Sequence, residues 1–168
     1  MTKLRNMRVI RIPKFRAVSS GPQTFEELFA EHGFDKWCGE HRELIRDLIY
    51  APSDFLWHEG APETYGRGLN VWIRAVNDGV SAGDVAPYAL TEFPGGIFLV
   101  ATADESDKSD LEETVSGMFD WIRENAVFEY GDFPRIGMCN MPAADTDIDR
   151  ALGIAQQQIF LPLKYREK

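Results

Sequence analysis

The apolar positions of this chain change period several times, and each change predicts an element. Residues 6–18 read as a strand carrying Val9, Ile10 and Ile12. Pro13 restricts that strand to an edge or a bulge, because proline has no N–H to give to a ladder. Gly21-Pro22 punctuates, and Thr24-x-x-Glu27 has the spacing of a capping box, which starts a helix with Phe25, Leu28 and Phe29 on one face. Gly33 breaks or kinks it, since glycine costs about 1 kcal/mol there relative to alanine. Trp37, Cys38, His41, Leu44, Ile45, Leu48 and Ile49 then recur at spacings of three and four. They predict an amphipathic run that Pro52-Ser53 stops.

Residues 55–59 read as a short strand, 60–68 as a Gly- and Pro-bearing loop, and 69–76 as a strand around Trp72. Residues 77–87 are a polar connector, taken as the boundary between two halves. The second half opens on a strand at 88–93, turns at Pro94-Gly95-Gly96 and continues in an apolar strand at 97–103. Ser109-x-x-Glu112 repeats the capping spacing, and Leu111, Val115, Met118, Phe119 and Ile122 trace one helical face. Strands at 135–141 and about 155–163 close the chain.

The pattern repeats. Phe34-Asp35-Lys36-Trp37 has a counterpart in Phe119-Asp120-Trp121, and each half closes on an aromatic-bearing strand. The expectation is one α+β domain over residues 1–168, built from βαββ units at about 6–76 and 88–163. Its two main helices lie on one side of an antiparallel-rich sheet. A central groove between the halves is the expected ligand site, since small ligands favour such concavities.

Composition narrows the function classes. The chain has 168 residues, is 44% hydrophobic and carries a net charge of −9. That is enough apolar material for a packed core, and the wrong sign for a phosphate backbone, so no direct nucleic-acid binding is expected. No run approaches the roughly 18 apolar residues of a membrane helix. No apolar stretch follows the basic residues Lys3, Arg5, Arg8 and Arg11, so no secretory signal and no membrane partner are expected. Two isolated cysteines, Cys38 and Cys139, suggest a reducing, cytoplasmic setting.

Candidate chemistry is sparse. His32, His41 and His58 do not sit at a ligand spacing, and Cys38-x-x-His41 lacks further ligands, so no metal is expected. Asp145-x-Asp147-x-Asp149 has neither the glycine nor the bidentate glutamate of a calcium loop. Gly95-Gly96 enters a strand rather than a helix, which argues against a phosphate site and a nucleotide cofactor; no cofactor is expected. Aromatic side chains are the remaining signal, with four tryptophans and 12% aromatics overall. Trp37 and Trp121 read as core. Trp57 and Trp72 read as walls of the groove, with Glu59 and Glu92 as neighbouring acids, an arrangement suited to flat or cationic ligands.

The chain resembles the GyrI-like small-molecule-binding domains, including the effector-binding domains of MerR- and AraC-type multidrug regulators and stand-alone members. The resemblance runs from about residue 8 to 163. It is carried by Val9-x-x-Ile12-Pro13, the strand around Trp72, Phe93-Pro94-Gly95-Gly96-x-Phe98, Trp121 and Ile159-Phe160-Leu161-Pro162-Leu163. It implies groove-lining roles for Trp72 and Phe98. It also exposes a departure: where the family often has Pro-x-x-Glu-x-Tyr, this chain has Gly137 in the Glu position and Cys139 in the Tyr position. Gly137 would widen the pocket, and Glu59, Glu92 or Glu129 would have to supply an acid. With no helix-turn-helix ahead of the domain, the resemblance implies a stand-alone binding protein for hydrophobic drug-like molecules, cations among them. A hydrolase of electrophilic cyclopropane-bearing compounds is the alternative; it would need a groove carboxylate as acid or base and aromatic walls. A protein partner, as for a gyrase inhibitor, is left unspecified.

Overall fold

Pro13 does more than restrict a strand. In the computed structural model, which describes residues 4–46, 54–57, 69–104, 107–131, 138–140 and 156–167, it ends one strand and Lys14 precedes the next. The expected single strand at 6–18 is two strands, β1 (Arg5–Ile12) and β2 (Phe15–Thr24), because proline cannot continue the ladder. They fall in different compact units. One unit comprises residues 13–95, the other residues 1–12 with 96–168. The division lies at 12/13 and 95/96, not in the 77–87 connector, which sits inside the first of these units.

In the 13–95 unit, β2 is followed by α1 (Phe25–Leu28), α2 (Phe34–Glu40), β3 (Asp54–Trp57), β4 (Leu69–Ala75) and β5 (Ala89–Phe93). Its antiparallel sheet runs in the order β3-β4-β2-β5. The Thr24–Glu27 capping box forms as read: Glu27 N–H donates to Thr24 Oγ1 at 3.2 Å, and Thr24 N–H donates to Glu27 Oε2 at 2.8 Å. The Thr24 backbone N–H, then its hydroxyl, hold the Glu27 carboxyl below its ordinary 4.5. A depressed folded value means that this contribution is present above the unfolded value and is lost as pH falls through the folded one. Glu27→Gln is therefore expected to flatten the acid limb of a plot of thermal midpoint against pH; an unchanged limb would contradict the box.

The second helix is shorter than its periodicity suggests. α2 starts with Gly33 as N-cap and ends at Glu40, with His41 as C-cap. Leu44 and Ile45 leave the helix to meet the end of β4. Ile45 bridges Val76, Arg46 N–H donates to the Ala75 carbonyl at 2.8 Å, and Asn77 N–H donates to the Leu44 carbonyl at 2.9 Å. The Asn77 side-chain amide donates to the carbonyls of Glu43 and Ile45, at 2.8 and 3.4 Å. These bonds take up the backbone groups that a continued helix would use. Residues 47–53 lie outside the described residues.

In the other unit, β6 (Gly96–Asp104) is the central strand, flanked by β1 and by β9 (Gln156–Tyr165). β7 (Phe128–Tyr130) and β8 (Met138–Asn140) pair successive stretches of the other edge of β9. The strand order β1-β6-β9-β8 matches β5-β2-β4-β3. The helix α3 (Lys108–Glu124) buries Thr114, Gly117, Met118 and Ile122. Met118 and Ile122 pack with Leu99, Ala101, Ala103, Ile159, Leu161 and Leu163. Its cap is Asp107, whose carboxylate accepts from Ser109 and Asp110 N–H; Ser109 itself does not cap. Both units are thus α+β, with helices on one side of an antiparallel sheet.

The C-terminus of α3 is closed from a distance. Arg166 Nε donates to the Asn125 carbonyl at 2.9 Å, and Nη2 to those of Ile122 and Arg123 at 3.2 and 3.4 Å. A cation here adds to the hydrogen bonding of the last-turn carbonyls and meets the negative end of the helix dipole. Arg166→Ala is expected to cost about 1–2 kcal/mol in chemical denaturation; a cost within error would mean that water serves those carbonyls equally well.

Candidate functional site

The most aromatic region among the described residues is the helix-facing side of β4. Alternation places Trp72 and Val76 on this face, while Val71, Ile73 and Ala75 point to the other and are also buried. Trp72 is 8% exposed. Its ring meets Phe29, just past α1, at a centroid distance of 5.3 Å, and Phe34, at the start of α2, at 5.7 Å. Phe34 meets the edge of Tyr88 at 4.9 Å, and Trp37 lies 5.4 Å from Tyr88 and 4.4 Å from the stacked His41 ring. Val18, Leu28, Cys38, Val80 and Val85 complete the cluster. Tilted and edge-on contacts of this kind satisfy the ring quadrupoles.

The strand under Trp72 is irregular in a way that fixes its backbone. β2 bulges between Ser19 and Pro22, with Gly21 at φ 66°. The bulge removes a regular ladder partner, and the Ser20 hydroxyl replaces it: Oγ accepts from Trp72 N–H at 2.9 Å and donates to the Gly21 carbonyl at 2.7 Å. The indole Nε1 is treated differently. It is buried and has no hydrogen-bond partner among the described residues, as is Gln23 Oε1 on β2. Gln23 is paired with Asn70, two residues before Trp72, so both side chains rise from the same face of the ladder. Burial, then the Cys38 thiol, push the Tyr88 hydroxyl above its ordinary 10.0, so the phenol stays neutral at ordinary pH.

The outer side of the cluster reaches solvent through two rings. Phe25 and Phe29 stack at 6.2 Å and are about half exposed, at 48% and 51%. Phe29 thus touches both solvent and Trp72.

The residues singled out from sequence are spread over both units. Trp72 lies on the helix side of its sheet. Phe98, on β6, lies on the side away from α3, fully buried against Phe160 at 6.5 Å. Gly96 makes room for it, since a Cβ there would come within 3.3 Å of the Phe98 ring. Glu92 is exposed on β5 and paired with Lys14 at 2.8 Å. Glu129, on β7, meets Lys164 and Arg166 at 3.6 and 3.7 Å. Trp57 is on β3, its side chain outside the described residues, as are Glu59, the 60–68 loop, Gly137 and the Asp145–Asp149 turn. Trp37 is core, as read. Phe29 and Phe34 were missed as neighbours of Trp72, and Tyr88 as a neighbour of Phe34. The Phe34–Trp37 spacing was the available signal, since residues three apart share a helix face.

Among the described residues no group of three or more His, Cys, Asp or Glu side chains is placed to hold a metal, and no helix is long and apolar enough to cross a membrane.

An α+β chain whose antiparallel sheets each carry helices on one side defines a fold class, and solved structures share it. The C-terminal domain of EcmrR matches with a TM-score of 0.62 at 14% identity, over 96% of this chain and 99% of that one. EcmrR in its complex with DNA matches with a TM-score of 0.64 at 12% identity, over 96% of this chain and 58% of that one. SAV2435 bound to tetraphenylphosphonium matches with a TM-score of 0.55 at 13% identity, over 95% and 94%. No family model and no curated protein matches the chain. At these identities the likeness is one of fold.

Proposed function

We propose that this chain is a binding protein for hydrophobic, drug-like small molecules, with Trp72 as the aromatic wall of the site. The observation that carries this reading is the cluster of rings around Trp72, closed toward solvent by the half-exposed Phe29. It is supported by the fold shared with SAV2435, a protein seen with tetraphenylphosphonium. A flat ligand entering beside Trp72 replaces one aromatic contact by another, so little favourable packing is lost when Phe29 moves aside. A delocalised cation gains further from the ring faces.

The other candidates take secondary places. Trp57 is a further candidate for the aromatic wall on its sequence alone. Glu59 is the better acid to meet a cation, because Glu92 is already paired with Lys14 at an exposed edge. Phe98, fully buried against Phe160, makes no ligand contact in this reading.

Titration with rhodamine 6G tests the proposal. Tryptophan emission is expected to fall saturably, with one dye bound per chain. Absence of saturable quenching up to the solubility of the dye, with no change in dye anisotropy, would overturn it.

A further inference from the structure

We infer that the ligand of this site carries a hydrogen-bond acceptor, such as a ketone, amide or ether oxygen on an aromatic framework, and that Trp72 Nε1 donates to it. This rests on the reading that small molecules bind against Trp72. Buried polar groups in folded proteins almost always find a partner, and a buried indole N–H without one calls for a reason. Trp72 is more than nine-tenths buried, and its Nε1 is unpartnered among the described residues. Indole is a donor only, so the missing group is an acceptor.

The backbone of Trp72 makes the contrast sharp. Its main-chain N–H is served by the Ser20 hydroxyl across a bulge, while the side-chain N–H on the same residue has no partner among the described residues. Gln23 Oε1, on the same face of the β2–β4 ladder, is a second buried polar atom without a partner among the described residues; as an acceptor it takes a donor and not the ligand's oxygen, which leaves that oxygen to Trp72 Nε1. The polar end of the ligand therefore belongs at this ladder, and its flat body among Phe29, Phe34 and Trp72. Phe29, half exposed and in tilted contact with Trp72, is the side chain whose rotation admits it. A ligand without an acceptor would gain the stacking but leave the N–H unsatisfied, so the site discriminates between flat molecules of equal size.

The probes are 9-fluorenone and fluorene, which share one flat carbon skeleton and differ in a carbonyl. The wild-type chain is expected to bind fluorenone several-fold, up to about tenfold, more tightly than fluorene. In nitrogen–proton spectra, the Trp72 indole N–H resonance is expected to move downfield with fluorenone and not with fluorene. That resonance is assigned by its loss in Trp72→Phe, which keeps a ring and removes the donor. Trp72→Phe is expected to lower fluorenone affinity to the fluorene level and to leave fluorene nearly unchanged. If the variant does not fold, the wild-type affinities and the N–H shift decide the question alone. Equal wild-type affinities, with no selective N–H shift, would overturn the inference and leave Trp72 as a plain wall. Binding of neither probe, together with no binding of rhodamine 6G, would overturn the site reading as well.

Discussion

Trp72→Ala is expected to destabilise the chain by about 3–5 kcal/mol and to abolish saturable quenching by rhodamine 6G. The ring is 8% exposed and touches Phe29 and Phe34, so its removal leaves a void that neither neighbour can fill without leaving its own partners. Phe34 is held by Tyr88 on another side, which limits collapse. The backbone bond to Ser20 survives the substitution, so the loss is of packing and not of strand pairing. A cost of this size is a large fraction of a domain's stability and corresponds to a fall in thermal midpoint of roughly 6–20 °C. Guanidinium denaturation with an unchanged m-value measures it. A cost under about 1 kcal/mol would mean that the ring is not part of the core.

Gly33→Ala is expected to be comparably harmful, at about 3 kcal/mol, for a different reason. Gly33 has φ −79° and ψ 179°, a conformation alanine accepts, so backbone strain is not involved. The obstacle is contact: a Cβ would lie 2.4 Å from the Glu27 carbonyl oxygen, 2.6 Å from that of Leu28 and 2.9 Å from Ala30 N. All three are backbone atoms of the α1 turn and cannot swing away. Relief requires α1 to move from α2, which carries Phe29 off Trp72. Gly39→Ala is the matched control, since its Cβ would meet nothing within 4 Å and alanine is the better helix former. It is expected to be neutral or stabilising by up to about 1 kcal/mol. Equal effects at the two glycines would contradict the packing described for the α1–α2 turn.

Local chemistry was the most legible part of the fold. The Thr24–Glu27 box, the break at Gly33 and the apolar strand at 97–103 depend on neighbours in sequence, and each appears where the pattern puts it. Periodicity misled where tertiary pairing competes with it. Leu44 and Ile45 keep helical spacing but are drawn to β4 by Asn77 and Val76. The cap of α3 was misplaced by two residues because Asp107 and Ser109 both suit the role. The partition of the chain was the least legible. Nothing local to β1 says that it pairs with β6, more than 80 residues on, rather than continuing into β2.

The site was legible as a residue type and not as a direction. Trp72 was singled out as an aromatic on a strand, but which sheet face it uses is decided by register, and the bulge at Ser20–Gly21 in its neighbour is not written in hydrophobicity. Its open indole N–H could be seen only once the Ser20 hydroxyl was found on the main chain instead.

The most direct test is a crystal structure of the chain with rhodamine 6G bound. The dye is expected in van der Waals contact with Trp72, with the Phe29 ring displaced from its contact with the indole. Dye bound elsewhere, with Trp72 still packed between Phe29 and Phe34, would contradict it.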